Sequence, residues 1–208
     1  MNLHLIETPV RGRYLHIARD PRRLLVGFHG YGETADAHLG QLEQIPGIDQ
    51  WSVAAVQALH PFYVRSTQEV VASWMTKLDR EEAIADNIEY VRRVIGALPQ
   101  CETLVFAGFS QGVAMAYRAA AAIRSDGVIA IGGDVPPDVP SISAPVLIGR
   151  GQRDEWYSDE KLKKDLKSLP NATACVYDGG HEWTSEVRAA IGEFLRSLTR
   201  QQVDQSAK

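Results

Sequence analysis

Between residues 103 and 123 a strand, a tight turn and a helix follow one another without a gap, and few folds accommodate that. Residues 103–107 are apolar and β-prone, and residues 113–123 are Ala-rich and helix-prone. Between them stands Gly108-Phe109-Ser110-Gln111-Gly112. So abrupt a turn forces unusual backbone angles and brings neighbouring chain close, which the flanking glycines permit. It also pushes the Ser110 hydroxyl out of the sheet, at the positive end of the following helix. A serine there is a candidate nucleophile. The plain alternative is a Gly-rich turn in which Ser110 only caps the helix.

The rest of the chain repeats the alternation. Strands are predicted at 24–28, 51–56, 127–131, 146–148 and 173–177, and helices at 34–45, 80–98, 158–169 and 182–198. Thr34 is placed to cap the first helix and Pro46-Gly47 to stop it. This order implies an α/β fold with a mostly parallel sheet, covered by helices on both faces. The nearly all-apolar run Leu24-Leu-Val-Gly-Phe28 fits a strand buried on both sides. In the helix at 80–98, Ile84, Ile88, Val91, Val94, Ile95 and Leu98 form an apolar stripe for the core. Residues 4–6 and 14–18 suggest an opening hairpin around residues 9–12. Residues 57–79 lack clear periodicity and carry Pro61, Phe62, Tyr63, Trp74 and Met75, more aromatic than a solvated loop requires. Long irregular segments of that kind are often functional. Residues 199–208 read as a polar tail, leaving 1–198 as a single domain.

Composition narrows the partners. With 208 residues, 45% hydrophobic and 23% charged, the chain is of ordinary globular type and long enough for a real core. A net charge of −4 argues against nucleic acid or an anionic membrane as partner. Arg11, Arg13, Arg19, Arg22 and Arg23 are interrupted by Asp20 and read as a solvated hairpin rim. Cys101 and Cys175 fit neither a disulfide framework nor a metal site, and Cys175 reads as a small core residue. Residues 1–15 hold no signal-peptide apolar region, and no apolar run is long enough to cross a bilayer, so a cytoplasmic location is expected.

A serine hydroxyl needs a base, and the base an orienting acid. His4, His16 and His38 are expected on the surface, and His60 sits in the aromatic loop with nothing to mark it as a base. His181 follows the last strand in a Gly-Gly-His loop, where its side chain can reach back over the carboxyl edge of the sheet. The acid has four candidates in Asp134, Asp154, Asp159 and Asp178. Asp178 would fold back along its own loop, and Asp159 is placed to cap a helix. Asp134 and Asp154 both satisfy the order serine, acid, histidine, and placement one strand before the histidine's strand favours Asp154. The developing oxyanion needs donors. The N–H of Gln111 is one; a second is expected from the loop at 29–33, where Tyr31 is assigned as donor and His29 as the residue that holds the loop.

Phe28-His-Gly-Tyr-Gly-Glu33, Gly108-Phe-Ser-Gln-Gly112, the Asp154 turn and Gly180-His181 together resemble the phospholipase/carboxylesterase family of small α/β-hydrolases, which includes acyl-protein thioesterases and bacterial carboxylesterases. The resemblance spans nearly the whole chain. It implies an α/β-hydrolase fold with little or no lid, and a cofactor-free hydrolase of carboxylic esters or thioesters. Its triad would be Ser110, Asp154 and His181, with an oxyanion hole from Tyr31 and Gln111. Trp74 falls where the family often has an aromatic near the acyl site. Phe62, Tyr63, Trp156 and Trp183 are further candidates for an apolar substrate slot. Three departures stand out: Glu33 where Asp is usual, Arg150 and Trp156-Tyr157 around the acid, and Gly132-Gly133-Asp134, which keeps Asp134 in play. The expected partner is a small-molecule ester or thioester; association into a homodimer stays open. Two rivals remain, a silent binding protein on a hydrolase fold and a triad enzyme of another class, such as a lyase, transacylase or peptidase.

Overall fold

The computed structural model describes residues 2–206, and side chains through residue 199. Its strands are β1 (Tyr14–Ile17), β2 (Arg23–Phe28), β3 (Ser52–Val56), β4 (His60–Tyr63), β5 (Val70–Ser73), β6 (Thr103–Phe109), β7 (Gly127–Ile131), β8 (Val146–Gly151) and β9 (Ala172–Tyr177). Its helices are α1 (Ala35–Leu42), α2 (Arg80–Ala97), α3 (Gln111–Ala122), α4 (Asp159–Ser168) and α5 (Ser185–Ser206). Seven strands form one sheet in the order β1-β3-β2-β6-β7-β8-β9. Only β1 runs antiparallel; every other pair is parallel.

The central strands β3, β6, β7 and β8 are buried along their whole length, which accounts for their largely apolar sequences, with Arg150 near the end of β8 the one charged residue among them. Alternate residues feed two cores. Val26 and Phe28 meet Val91 and Val94 of α2, Val113 of α3 and Leu162 of α4 on one face. Leu25, Val53 and Ile129 meet Leu42 of α1 and Val187, Ile191 and Leu195 of α5 on the other. The parallel strands thus deliver the β2, β6, β7, β8 and β9 loops to one carboxyl edge. Among the described residues no helix is long and apolar enough to cross a membrane.

Four expectations need correction. There is no opening hairpin: residues 2–10 form no strand, and β1 pairs instead with β3, register Tyr14 to Val56. Leu3, Leu5 and Ile6 stay exposed because no neighbour offers them a ladder or a core. Residues 57–79 are not irregular throughout, since β4 and β5 pair as an antiparallel hairpin with Phe62 opposite Val71. Helix α5 runs past Leu198, the expected end of the closing helix, into the stretch 199–208 read as a polar tail, of which residues 207–208 lie outside the described residues. Finally, His38 is not on the surface. Ala35, His38 and Leu42 form the inner stripe of α1, and the His38 ring, only 1% exposed, packs against Gly27, whose missing side chain leaves it room. The basic cluster is partly neutralised: Arg19 pairs with Glu43, and Arg22 and Arg23 with Asp20.

Candidate active site

Strand β6 ends at Phe109 and α3 begins at Gln111, so Ser110 alone makes the turn. Its φ is +52° and ψ −119°, in a region disfavoured for any side chain, which costs on the order of 1–3 kcal/mol and persists where the surroundings hold it. One such hold is its own N–H, which donates to the Ile131 carbonyl at the end of β7 (2.9 Å). Another is Gly112, where a Cβ would stand 2.0 Å from the Phe28 carbonyl oxygen, so α3 starts flush against the end of β2.

The β8 and β9 loops bring Asp154 and His181 together. His181 Nδ1 lies 2.9 Å from Asp154 Oδ2. An ionised carboxylate only accepts, so Nδ1 carries the proton and Nε2 is left as an acceptor. The Asp154 side chain is fully buried, and its Oδ1 takes the N–H groups of Trp156 and Tyr157, each at 2.9 Å. The turn that offers them is braced in its own right. Arg150 Nε donates to the Tyr157 carbonyl (2.8 Å), and the Tyr157 hydroxyl to Asp165 Oδ2 on α4 (2.8 Å). Burial pushes the Asp165 carboxyl up and also raises Tyr157. The other acid candidates face elsewhere: Asp134 pairs with Lys161, Asp159 with Lys163 and Asp178 with Arg153.

Ser110 and this pair share a narrow neighbourhood. A Cβ on Gly132 would lie 3.0 Å from His181 Cε1 and 3.3 Å from Asp154 Oδ2, and one on Gly133 only 2.7 Å from the Ser110 carbonyl oxygen. Side chains at 132 and 133 would crowd the His181–Asp154 pair and the Ser110 backbone. Phe109 places its ring 5.0 Å from that of His181.

Across the cleft, the loop after β2 is held by hydrogen bonds that leave one donor open. The Gly30 N–H goes to Glu33 Oε2 (2.7 Å), the Gly32 N–H to Ala72 O (3.0 Å) and the Glu33 N–H to Gly30 O (3.3 Å). The Tyr31 N–H has no partner among the described residues. The Gln111 N–H opens α3 and so has no intrahelical acceptor. His29 is fully buried, with Nδ1 2.7 Å from Gly30 O and Nε2 taking the Ala58 N–H at 3.0 Å. Burial lowers its pKa, and the bonds show it bracing the loop. The Gln111 side chain fastens the hairpin: Oε1 takes the Trp74 N–H (2.9 Å), and Nε2 donates to Met75 O (2.9 Å).

The aromatics divide. Phe62 on β4 stacks with Tyr31 at 5.4 Å, and Tyr31 and Tyr63 are exposed. Trp156, 74% exposed, sits beside the acid turn. Trp183 is half-buried behind Phe109 at 5.7 Å. Trp74 does not line an open slot as expected: it is fully buried, edge-on to Phe28, and its Nε1 donates to the His29 carbonyl (2.8 Å). That bond supports the loop from behind, where the Trp74 ring also lies 5.3 Å from that of His29. His60 is exposed on β4. A surface hollow of about 310 Å3 between residues 120–125 and 141–144 lies at the far end of α3 from Ser110. Sequence reasoning missed the reach of Glu33 back to Gly30 and the Tyr157–Asp165 brace; both begin at the departures noted from the family pattern.

The sheet order, the elbow and the converging loops define the α/β-hydrolase fold. Solved structures similar to this chain carry the same architecture. Esterase PE8 superposes with a TM-score of 0.75 at 18% identity, over 91% of this chain and 100% of that one. Zea mays acyl-protein thioesterase 2 gives 0.74 at 16%, over 90% and 99%. A phospholipase/carboxylesterase from Dyadobacter fermentans gives 0.69 at 19%, over 91% and 98%. At these identities the likeness is one of fold. No protein-family model matches the chain, and no curated protein matches it in sequence.

Proposed function

We propose that this chain is a serine hydrolase of the phospholipase/carboxylesterase type, cleaving carboxylic esters or thioesters through an acyl-enzyme. The observation that carries the reading is the hydrogen bond from His181 to a buried, otherwise satisfied Asp154, beside a serine held at positive φ. His181 Nε2 takes the Ser110 proton as the oxygen attacks the acyl carbon. Asp154 fixes the ring and stabilises the cation that forms. The Tyr31 N–H, without an acceptor among the described residues, and the Gln111 N–H, without an intrahelical one, receive the oxyanion. The protonated His181 then hands its proton to the departing alcohol or thiol, and water activated by the same ring releases the acid. No step calls for a cofactor or metal. The fold shared with esterases and a thioesterase supports the same reaction class.

The test is Ser110→Ala assayed with p-nitrophenyl acetate, alongside labelling by a fluorophosphonate probe. The wild type should label and turn over, and the variant should lose both, with kcat down by about 10^4-fold or more. Hydrolysis at the wild-type rate by the variant removes the mechanism, and a wild type that never labels points to a silent scaffold.

A further inference from the structure

Glu33 leads from the loop after β2 into the bridge with β5, and its side chain turns back over the loop it ends. Oε2 accepts the Gly30 N–H at 2.7 Å, a charge-assisted bond of the stronger kind. A Cβ on Gly30 would stand 3.2 Å from that oxygen and 3.2 Å from Cδ1 of Phe109, so carboxylate and ring flank the same backbone atom. The Phe109 ring is in turn 5.0 Å from that of His181. Glu33 therefore sits half-buried on the side of Phe109 away from His181, whose ring becomes a cation when it takes up the Ser110 proton. Burial pushes its carboxyl up, while the Gly30 N–H and His181 act the other way. The backbone of Glu33 is anchored as well, since its carbonyl takes the Ala72 N–H at 3.0 Å.

Resting on the serine-hydrolase reading, we infer that Glu33 is a positioning residue for the reaction: by holding Gly30 it aims the Tyr31 N–H at the oxyanion, and its charge supports the His181 cation. The first part follows from the loop's own bonds. The peptide that carries the Tyr31 N–H begins at Gly30, so the plane of that donor turns if Gly30 is released. With Gly32 and Glu33 pinned to Ala72, the Gly30 end is the one left for a side chain to fix. The second part follows from charge. Asp154 binds Nδ1 directly, and a second carboxylate across Phe109 adds to the field that favours the imidazolium. The groups facing Glu33 are the Gly30 N–H from its own loop, Phe109 at the end of β6, the Ala72 backbone of β5 and His181 from the loop before α5.

The two parts separate in one experiment. Wild type, Glu33→Gln and Glu33→Ala are compared for kcat, KM and pH dependence on p-nitrophenyl acetate, with fluorophosphonate labelling and thermal melting as controls. In Glu33→Ala the loop is released, and kcat should fall about 10- to 100-fold with KM little changed. In Glu33→Gln the amide oxygen still accepts the Gly30 N–H, and most of kcat should return. Both variants lack the charge that favours the protonated base, so the acid limb of kcat/KM should move to lower pH. Wild-type kcat in Glu33→Ala, or an acid limb unmoved in both variants, overturns the inference. If Glu33→Ala does not fold, the acid limb of Glu33→Gln decides alone. A wild type that neither labels nor turns over removes the serine-hydrolase reading itself, whereas an active wild type with indifferent variants removes only the role of Glu33.

Discussion

The two walls of the cleft are built on opposite principles. On the wall made by the β8 and β9 loops, the acid is saturated: Asp154 takes two backbone N–H groups and the His181 ring, and the turn around it is tied by Arg150 and Tyr157. On the wall made by the β2 loop and the β4–β5 hairpin, the inner side is equally tied, through His29, Trp74 and Gln111. Its outer side is left open: the Tyr31 N–H is unpaired, and Tyr31, 63% exposed, stacks on Phe62 at the rim. A base must be held in one geometry, so its neighbours are used up within the protein. A surface that receives a substrate needs unspent donors and accessible apolar area.

That contrast yields graded expectations. The largest effect should come from the closed wall. Asp154→Asn keeps the shape but offers His181 Nδ1 an amide, and kcat should drop by about 10^4-fold with little loss of melting temperature. A drop below tenfold would mean that the wall is structural scaffolding and not part of the reaction. A middle-sized effect should appear just behind it, where Trp183 meets His38 edge-on at 5.8 Å and neither nitrogen of the His38 ring has a partner. Burial drives the His38 pKa down to about 3, against an ordinary 6.5. The folded state thus keeps His38 neutral while the unfolded chain takes up a proton below about pH 6.5, so stability is full above that pH and declines as pH falls toward 3. By pH 5 the loss should reach about 2 kcal/mol. Urea midpoints at pH 7 and pH 5 would read it, and His38→Leu should flatten the difference; an equal decline in the variant would assign it to other groups. The smallest effect belongs to the open wall. Phe62→Ala removes the stacking partner of Tyr31, and KM should rise about two- to tenfold with kcat nearly unchanged. A fall in kcat to match Asp154→Asn would erase the distinction between the walls.

The sheet was legible because its strands are unbroken apolar runs between turn residues, and the elbow because glycines flank the serine on both sides. Strand order set both Asp134 and Asp154 at the edge that carries His181, since parallel strands must deliver their loops to one edge, and placement one strand before the histidine favoured Asp154 without settling the choice. The hairpin at β4–β5 was not, because much of it is exposed: Val70, Tyr63 and His60 face outward, and no periodicity of two survives around Pro61. His38 was hidden for another reason. A histidine reads as polar, and only the contact with Gly27 on a different element shows why the inner stripe of α1 accepts it. Trp74 reads from sequence as pocket or core with equal ease, and the bond from its Nε1 to the His29 carbonyl is a long-range fact. Glu33 stood out only as a departure from a family pattern. Its reach back to Gly30 depends on a backbone path that no spacing rule encodes.

Gly112 carries a final consequence. With a carbonyl 2.0 Å from where its Cβ would be, the turn that holds Ser110 and the strand that leads to the Tyr31 loop meet backbone to backbone. The spacing between the Ser110 backbone and the start of the Tyr31 loop is then a matter of bond lengths and atomic radii, and only the χ1 rotation of Ser110 is left to adjust. If the proposed hydrolysis holds, substrate range should be set by changes at the exposed Tyr31–Phe62 rim, while changes at Gly112 should abolish activity toward every ester alike.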